Sequence, residues 1–185
     1  MARACREVAI YPEDLLDGAP AEMSGRQWWA VYTKSRQEKA FARQLLSHTV
    51  PYYLPLVLKN YTCRGRRFSA HVPLFAGYVF MHGAEQERIV SLTTNRVSKI
   101  LPVHDAIRLV HDLRQIFRLI ASGAPLTIEQ RLAAGRRVRL RYGALAGLEG
   151  SVLTRRGGTR LLVAVDFLQQ GASIDVEDHW LEPID

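Results

Sequence analysis

The spacing of apolar positions changes period several times along the chain, and each change marks an element. Residues 1–25 hold Pro12, Gly18, Pro20 and Gly25 among acidic side chains with no sustained periodicity, the pattern of a flexible tail with no assigned role. At Gln27 the pattern shifts: residues 28–33, Trp-Trp-Ala-Val-Tyr-Thr, form an aromatic and β-branched run that predicts a buried strand. Over residues 35–47 the spacing becomes helical, with Phe41 and Leu45 on one side and Arg36, Lys39 and Arg43 on another, so this helix has a core face and a basic face.

Residues 50–58 read as a strand interrupted by Pro51 and Pro55, and residues 59–72 alternate around Arg64-Gly65-Arg66-Arg67, a hairpin with a cationic tip. Residues 78–81 predict a further strand, 86–92 a short helix and 97–103 a fourth strand. Asp105 can cap a longer helix in which Ala106, Leu109, Val110, Leu113, Phe117 and Ile120 recur at steps of three and four, ending near Ser122-Gly123 with Pro125 beyond. The order β-α-β-β-α-β, with an extra hairpin and a final helix, predicts an α+β fold whose first domain, residues 26–121, is a ferredoxin-like sandwich. Residues 122–134 mix Gly, Pro, Thr and Ala with scattered charge and read as a linker. Short strands at 137–141, 150–155, 160–166, 173–176 and 179–184 then predict a small five-stranded barrel over residues 135–185.

With 48% hydrophobic residues the chain can bury real cores. No apolar run approaches the roughly 18 residues of a membrane span, and the N-terminal stretch lacks a signal-peptide centre, so a cytoplasmic protein without membrane attachment is expected. The cysteines, Cys5 and Cys63, lie in no disulfide or zinc pattern, and no metal or other cofactor is expected. The net charge of +7 is unevenly placed: 2 Lys+Arg against 5 Asp+Glu in residues 1–25, 15 against 5 in 26–124, and 8 against 8 in 125–185. The middle block therefore faces a polyanion. In the last block all eight cations fall in residues 131–160 and six acids in 161–185, a polarity that suits a protein docking surface better than a nucleic-acid face. The histidines, His48, His71, His82, His104, His111 and His179, are scattered without nucleophile or metal spacing, which argues against an enzyme. Arg155-Arg156-Gly157-Gly158-Thr159 reads as a hairpin turn in preference to a phosphate loop.

Two separated motifs carry a family resemblance. Trp28-Trp29-Ala-Val-Tyr32-Thr-Lys34, followed by Pro73-Leu-Phe75-Ala-Gly77-Tyr78-Val-Phe80, resembles the NusG N-terminal domain. Val138-Arg-Leu-Arg-Tyr-Gly143-Ala-Leu-Ala-Gly147-Leu-Glu-Gly150-Ser-Val152 resembles the KOW motif of the SH3-like barrel that follows it in that family. Lys34 and the compact Arg-Gly-Arg-Arg hairpin place the resemblance nearer to specialised, RfaH-like paralogues. The sequence departs from the pattern at Ala76, where the family has proline, and at Glu87, Arg88 and Ile89, where the RfaH-like branch has His-Thr-Thr.

The resemblance implies a monomeric transcription elongation or antitermination factor. Tyr32, Phe75, Tyr78 and Phe80 would line an apolar depression for the coiled coil of the RNA polymerase clamp. Lys34, Arg36, Gln37, Lys39, Arg43 and Arg96 would face upstream or non-template DNA, with Arg64, Arg66 and Arg67 extending the track. Phe167 and Leu168 would contact a ribosomal protein or Rho. The rival reading, a KOW-type RNA-binding or ribosome-associated protein, calls for excess positive charge in residues 125–185, where the balance is zero. Glycines at 143, 147, 150, 157 and 158 among β-branched residues predict a barrel that does not switch to helix.

Overall fold

The computed structural model describes residues 7–17, 25–131, 135–155 and 157–184. It is a mixed α/β chain that divides into two compact units, Met1–Ala106 and Ile107–Asp185. In chain order the first unit holds β1 (Ile10–Tyr11), β2 (Gln27–Thr33), α1 (Glu38–Ser47), β3 (Tyr52–Tyr53), β4 (Leu56–Cys63), β5 (Arg66–Pro73), β6 (Tyr78–Gly83), α2 (Glu85–Thr93) and β7 (Val97–Pro102). Its main sheet has the order β1-β3-β6-β2-β7 with every neighbouring pair antiparallel. The hairpin β4–β5 is a separate two-stranded sheet.

Side-chain alternation along β2 divides the unit's apolar groups between two faces. Trp29 and Val31 point to one face and pack with Phe41, Ala42 and Leu45 of α1 and with Val79 and Met81 of β6. Burying side chains of this size contributes about 1.5–3 kcal/mol each, so the Phe41/Leu45 stripe fixes α1 to the sheet. Trp28, Ala30 and Tyr32 point to the other face, directly across from His82, Phe80 and Tyr78 of β6. On the far side of β2 the register against β7 slips between Tyr32 and Thr33, where Ser98 is the extra residue of a bulge.

The second unit begins with α3 (Ala106–Ala121) and continues with β8 (Thr127–Glu129), β9 (Arg137–Leu140), β10 (Glu149–Arg155), β11 (Gly158–Val165), β12 (Gln170–Asp175) and β13 (Leu181–Pro183), with single 3-10 turns at Asp166–Leu168 and Asp178–Trp180. These strands form one sheet ordered β13-β9-β10-β11-β12-β8. Leu161, Leu162 and Val163 are all buried, so both faces of β11 are covered. The expected hairpin turn is closed by the pairing of Arg155 with Gly158, and Arg156 lies outside the described residues. Strands occupy 149–155 and 158–165, within the segment expected not to switch to helix.

Three segments differ from the sequence reading. Within the expected tail, Ile10 and Tyr11 pair with Tyr53 and Tyr52, and Leu16 is only 3% exposed. A two-residue strand is too short to produce an alternation, which is why the pattern does not reveal it; residues 1–6 and 18–24 of that tail lie outside the described residues. Within the expected linker, Thr127–Glu129 forms the edge strand β8 on β12, and Ser173 Oγ donates to the buried Glu129 carboxylate at 2.7 Å. The rest of that linker includes residues 132–134, which are outside the described residues. Helix α3, expected to close the first domain, falls in the second compact unit. Asp112 Oδ2 accepts from the Asp166 amide at 2.9 Å, and the Arg118 guanidinium donates to the Ala146 carbonyl at 2.7 Å.

Candidate functional site

The best-organised surface feature of the first unit lies at the C-terminal end of β2. Tyr32 is 42% exposed although its strand neighbours Val31 and Thr33 are buried. Its ring stands 5.0 Å from that of half-buried Tyr78, tilted by 53°, as their directly opposed positions on β2 and β6 require. Exposed Lys99 of β7 lies across from Tyr32 on its other side. The row Tyr78-Tyr32-Lys99 thus crosses three strands on one face. Phe75 and Phe80, at 6.3 Å and edge to face, are fully buried. Of the four aromatic residues singled out in the sequence, two reach the surface and two form packing beneath the turn that precedes β6.

That turn explains why the tyrosines stand where they do. The Tyr78 amide donates to the Phe75 carbonyl at 3.1 Å, closing Phe75-Ala76-Gly77-Tyr78 as a four-residue turn. Gly77 has φ +84, the left-handed geometry that a type II turn demands at its third position. A Cβ on Gly77 would lie 2.6 Å from the Tyr32 ring, so the absence of a side chain is what lets that ring lie over the backbone. The Gly77 amide donates to Glu38 Oε1 at 2.8 Å, and its carbonyl accepts from the Thr33 amide at 2.7 Å and from Thr33 Oγ1 at 3.3 Å. Ala76 stands where proline would stiffen the turn, and the bonds to Glu38 and Thr33 hold the turn instead.

The cationic group begins two residues beyond Tyr32. Lys34 Nζ donates to Asn95 Oδ1 at 2.7 Å, and the Lys34 amide donates to the Arg96 carbonyl at 2.7 Å. The half-buried Arg96 guanidinium donates to Gln37 Oε1 and, at 3.1 Å, to Gln44 Oε1, so it braces the start of β7 against α1. Gln37 and Arg96 are therefore engaged within the unit. Arg36, at φ +59 in the turn before α1, is exposed, and Lys39 is half-buried. Arg43 is exposed but bonded to Glu7 Oε1 at 2.5 Å. Of the six residues, Lys34, Gln37, Arg43 and Arg96 are held by side-chain bonds to neighbours, while Arg36 is exposed and Lys39 half-buried.

In the second unit, Phe167 is 39% exposed on the 3-10 turn Asp166–Leu168 and Leu168 is half-buried. The turn is held by the Asp112 bond to the Asp166 amide and by Gln169, whose side-chain amide donates to Asp166 O at 2.8 Å and Oδ1 at 2.9 Å. Burial raises the Asp112 carboxyl above its ordinary range, outweighing the opposing pull of that amide and of Arg108. The charge separation along residues 131–185 is not a separation in space. Arg160 on β11 meets its cross-strand partner Asp175 on β12 at 2.5 Å, and Arg141 meets Glu182 on β13 at 3.9 Å. Strand pairing thus sets two cations of residues 131–160, Arg141 and Arg160, on acids of residues 161–185.

Among the described residues, no group of His, Cys, Asp and Glu is placed to hold a metal ion, and no helix is long and apolar enough to cross a membrane. Glu38, Gly77's partner, was not singled out in the sequence; its signal is a lone acid at the start of an otherwise basic helix. Lys99, Asn95 and Gln44 become visible only through the sheet register and the Arg96 brace.

A family profile described as transcription termination factor nusG matches residues 26–135. No curated protein matches the chain.

Proposed function

The chain belongs to the NusG family of transcription factors, and we propose that it is a transcription elongation regulator that rides on RNA polymerase, promotes processive elongation or antitermination, and performs no chemistry of its own. Members of the family generally bind RNA polymerase. The observation that carries the reading is the ring pair of exposed Tyr32 and half-buried Tyr78, set on the braced Gly77 turn beside a cationic helix. Aromatic side chains bury large area for little conformational entropy, and a central one contributes on the order of 2 kcal/mol to an interface. Tyr32 and Tyr78 would receive the clamp coiled coil, while Phe75 and Phe80 fix the surface from below. Lys34, Arg36, Lys39 and Arg43 would meet phosphates of upstream or non-template DNA, and Arg96 and Gln37 would hold that face in place.

We read the first unit as a ferredoxin-like sandwich. The antiparallel order β3-β6-β2-β7, with α1 and α2 as crossovers, supports this. The short antiparallel strands of the second unit support an SH3-like KOW barrel, and Phe167 with Leu168 would recruit a ribosomal protein or Rho. Lys34 and the compact hairpin support an RfaH-like specialisation within the family. Affinity capture of core RNA polymerase by the full chain tests the reading: capture by wild type, lost in the Tyr32→Ala/Tyr78→Ala double variant, supports it, and equal capture by both removes the docking surface.

A further inference from the structure

The β4–β5 hairpin pairs with no other strand among the described residues, yet it carries two large exposed rings. Tyr61 and Phe68 are 49% and 43% exposed, oppose each other directly in the register, and stack at 5.6 Å with an interplanar angle of 18°. A cross-strand pair of this kind supports its ribbon by only about 0.2–1 kcal/mol, a small return for two aromatic side chains left in water. Each ring gives one face to the other and keeps its outer face open.

The register also places charge beside them. Lys59 precedes Tyr61 by two positions on β4, and Arg66 precedes Phe68 by two on β5, so each ring has a cation on its own face of the ribbon, about 7 Å away along the strand. Arg64 and Arg67 add charge at the turn and on the reverse face. Residues 56–73 contain four Lys and Arg and no Asp or Glu. Among the described residues none of these four cations is ion-paired, in contrast to Arg43, Arg139 and Arg160. The ribbon is stiffened on its other face by Ser69 Oγ donating to Asn60 Oδ1 at 2.6 Å, and its turn is made by Arg64 and Gly65, both with positive φ (49 and 75), the pattern of a type I′ hairpin.

We propose that this hairpin is a stacking platform for single-stranded DNA. Unpaired bases lie against the outer faces of Tyr61 and Phe68, and Lys59 and Arg66 neutralise the adjoining phosphates. Stacking of this kind is available only to bases whose faces are open, so the platform selects single strand over duplex and carries little sequence preference. An uncompensated run of one charge sign beside open ring faces fits a strand that is both planar-stacking and anionic. The choice of DNA rests on the elongation-factor reading, in which the melted non-template strand is the single strand at hand.

The test measures binding of a fluorescein-labelled oligo-dT of about 15 nucleotides to the full chain by anisotropy, across a salt series. Tyr61→Ala/Phe68→Ala is expected to weaken binding by roughly fivefold to a hundredfold, with the salt slope nearly unchanged. Tyr61→Trp/Phe68→Trp retains binding, and Tyr61→Leu/Phe68→Leu, which keeps apolar bulk in the ribbon, loses it as the alanines do. Lys59→Gln/Arg66→Gln lowers the slope by about 1.4. Unchanged affinity in the alanine and leucine variants overturns the proposal, as does an equal loss on a duplex of the same sequence or a clear preference for oligo-U over oligo-dT. Loss of polymerase capture with oligo-dT binding intact would assign the rings to a protein contact and equally overturn it. Lys39→Gln/Arg43→Gln, measured alongside, separates the two sites: weakening there alone leaves the helix reading standing and removes the hairpin, and weakening in the hairpin variants alone does the reverse.

Discussion

Glu38 Oε1 accepts a hydrogen bond from the Gly77 amide at 2.8 Å, tying the first turn of α1 to the turn that presents Tyr78. Glu38 is 8% exposed, so deleting its carboxylate leaves a buried donor unmet. Glu38→Ala is expected to cost about 1–3 kcal/mol, and Glu38→Gln, which keeps an acceptor oxygen, under about 1 kcal/mol. Urea denaturation of the two variants checks this; equal costs would show that the bond does not hold the turn.

Gly77→Ala adds strain at φ +84 and drives a Cβ against the Tyr32 ring. Destabilisation of about 1–3 kcal/mol is expected. Because the ring must move, polymerase capture should fall while the variant is still folded by circular dichroism. Capture at the wild-type level would mean that the position of Tyr32 is unimportant.

Asp112 makes stability depend on pH in a defined direction. Its folded carboxyl sits above the ordinary value of 3.8, chiefly because of burial. Between the unfolded and folded values the folded chain holds the extra proton, so the contribution of Asp112 is greatest below the unfolded value and declines as pH rises through that window. Asp112→Asn keeps an acceptor for the Asp166 amide without the buried charge. The stability of the variant relative to wild type should therefore increase from about pH 4 to about pH 7, read by denaturation at each pH. A constant difference would contradict the assignment.

Salt dependence separates contact from brace. Lys39→Gln/Arg43→Gln is expected to lower the log–log salt slope of single-strand binding by about 1.4 if both side chains meet phosphates. Arg96→Gln removes the ties to Gln37 and Gln44 and should lower stability more than slope. The opposite assignment of effects would exchange the roles of Arg96 and α1.

Much of this organisation is legible in the sequence where periodicity is long. The Trp-rich run of β2, the Phe41/Leu45 stripe and the repeated apolar steps of α3 all became the elements their spacing implies. Short pairings were not legible: Ile10–Tyr11 and Thr127–Glu129 exist because partner strands receive them, and two or three residues carry no period. The aromatic motif named the right neighbourhood but not the exposure of its members. Tyr32 is exposed near the end of β2 although Trp28 and Ala30 on the same face are buried, and Phe75 and Phe80 are held inside, by packing that no local pattern encodes. Charge along the chain likewise does not show which acid the strand pairing sets beside which cation, as with Arg160 on Asp175 and Arg141 on Glu182.

The central claim is that the Tyr32–Tyr78 surface receives a polymerase helix pair. The most direct measurement is titration of the isotope-labelled full chain with a fragment carrying the clamp coiled coil, followed by amide chemical shifts. The account predicts saturable shifts centred on Tyr32, Gly77, Tyr78 and Lys99, abolished by Tyr32→Ala/Tyr78→Ala. Saturable shifts confined to residues 137–165, with Tyr32 and Gly77 unmoved, would contradict it.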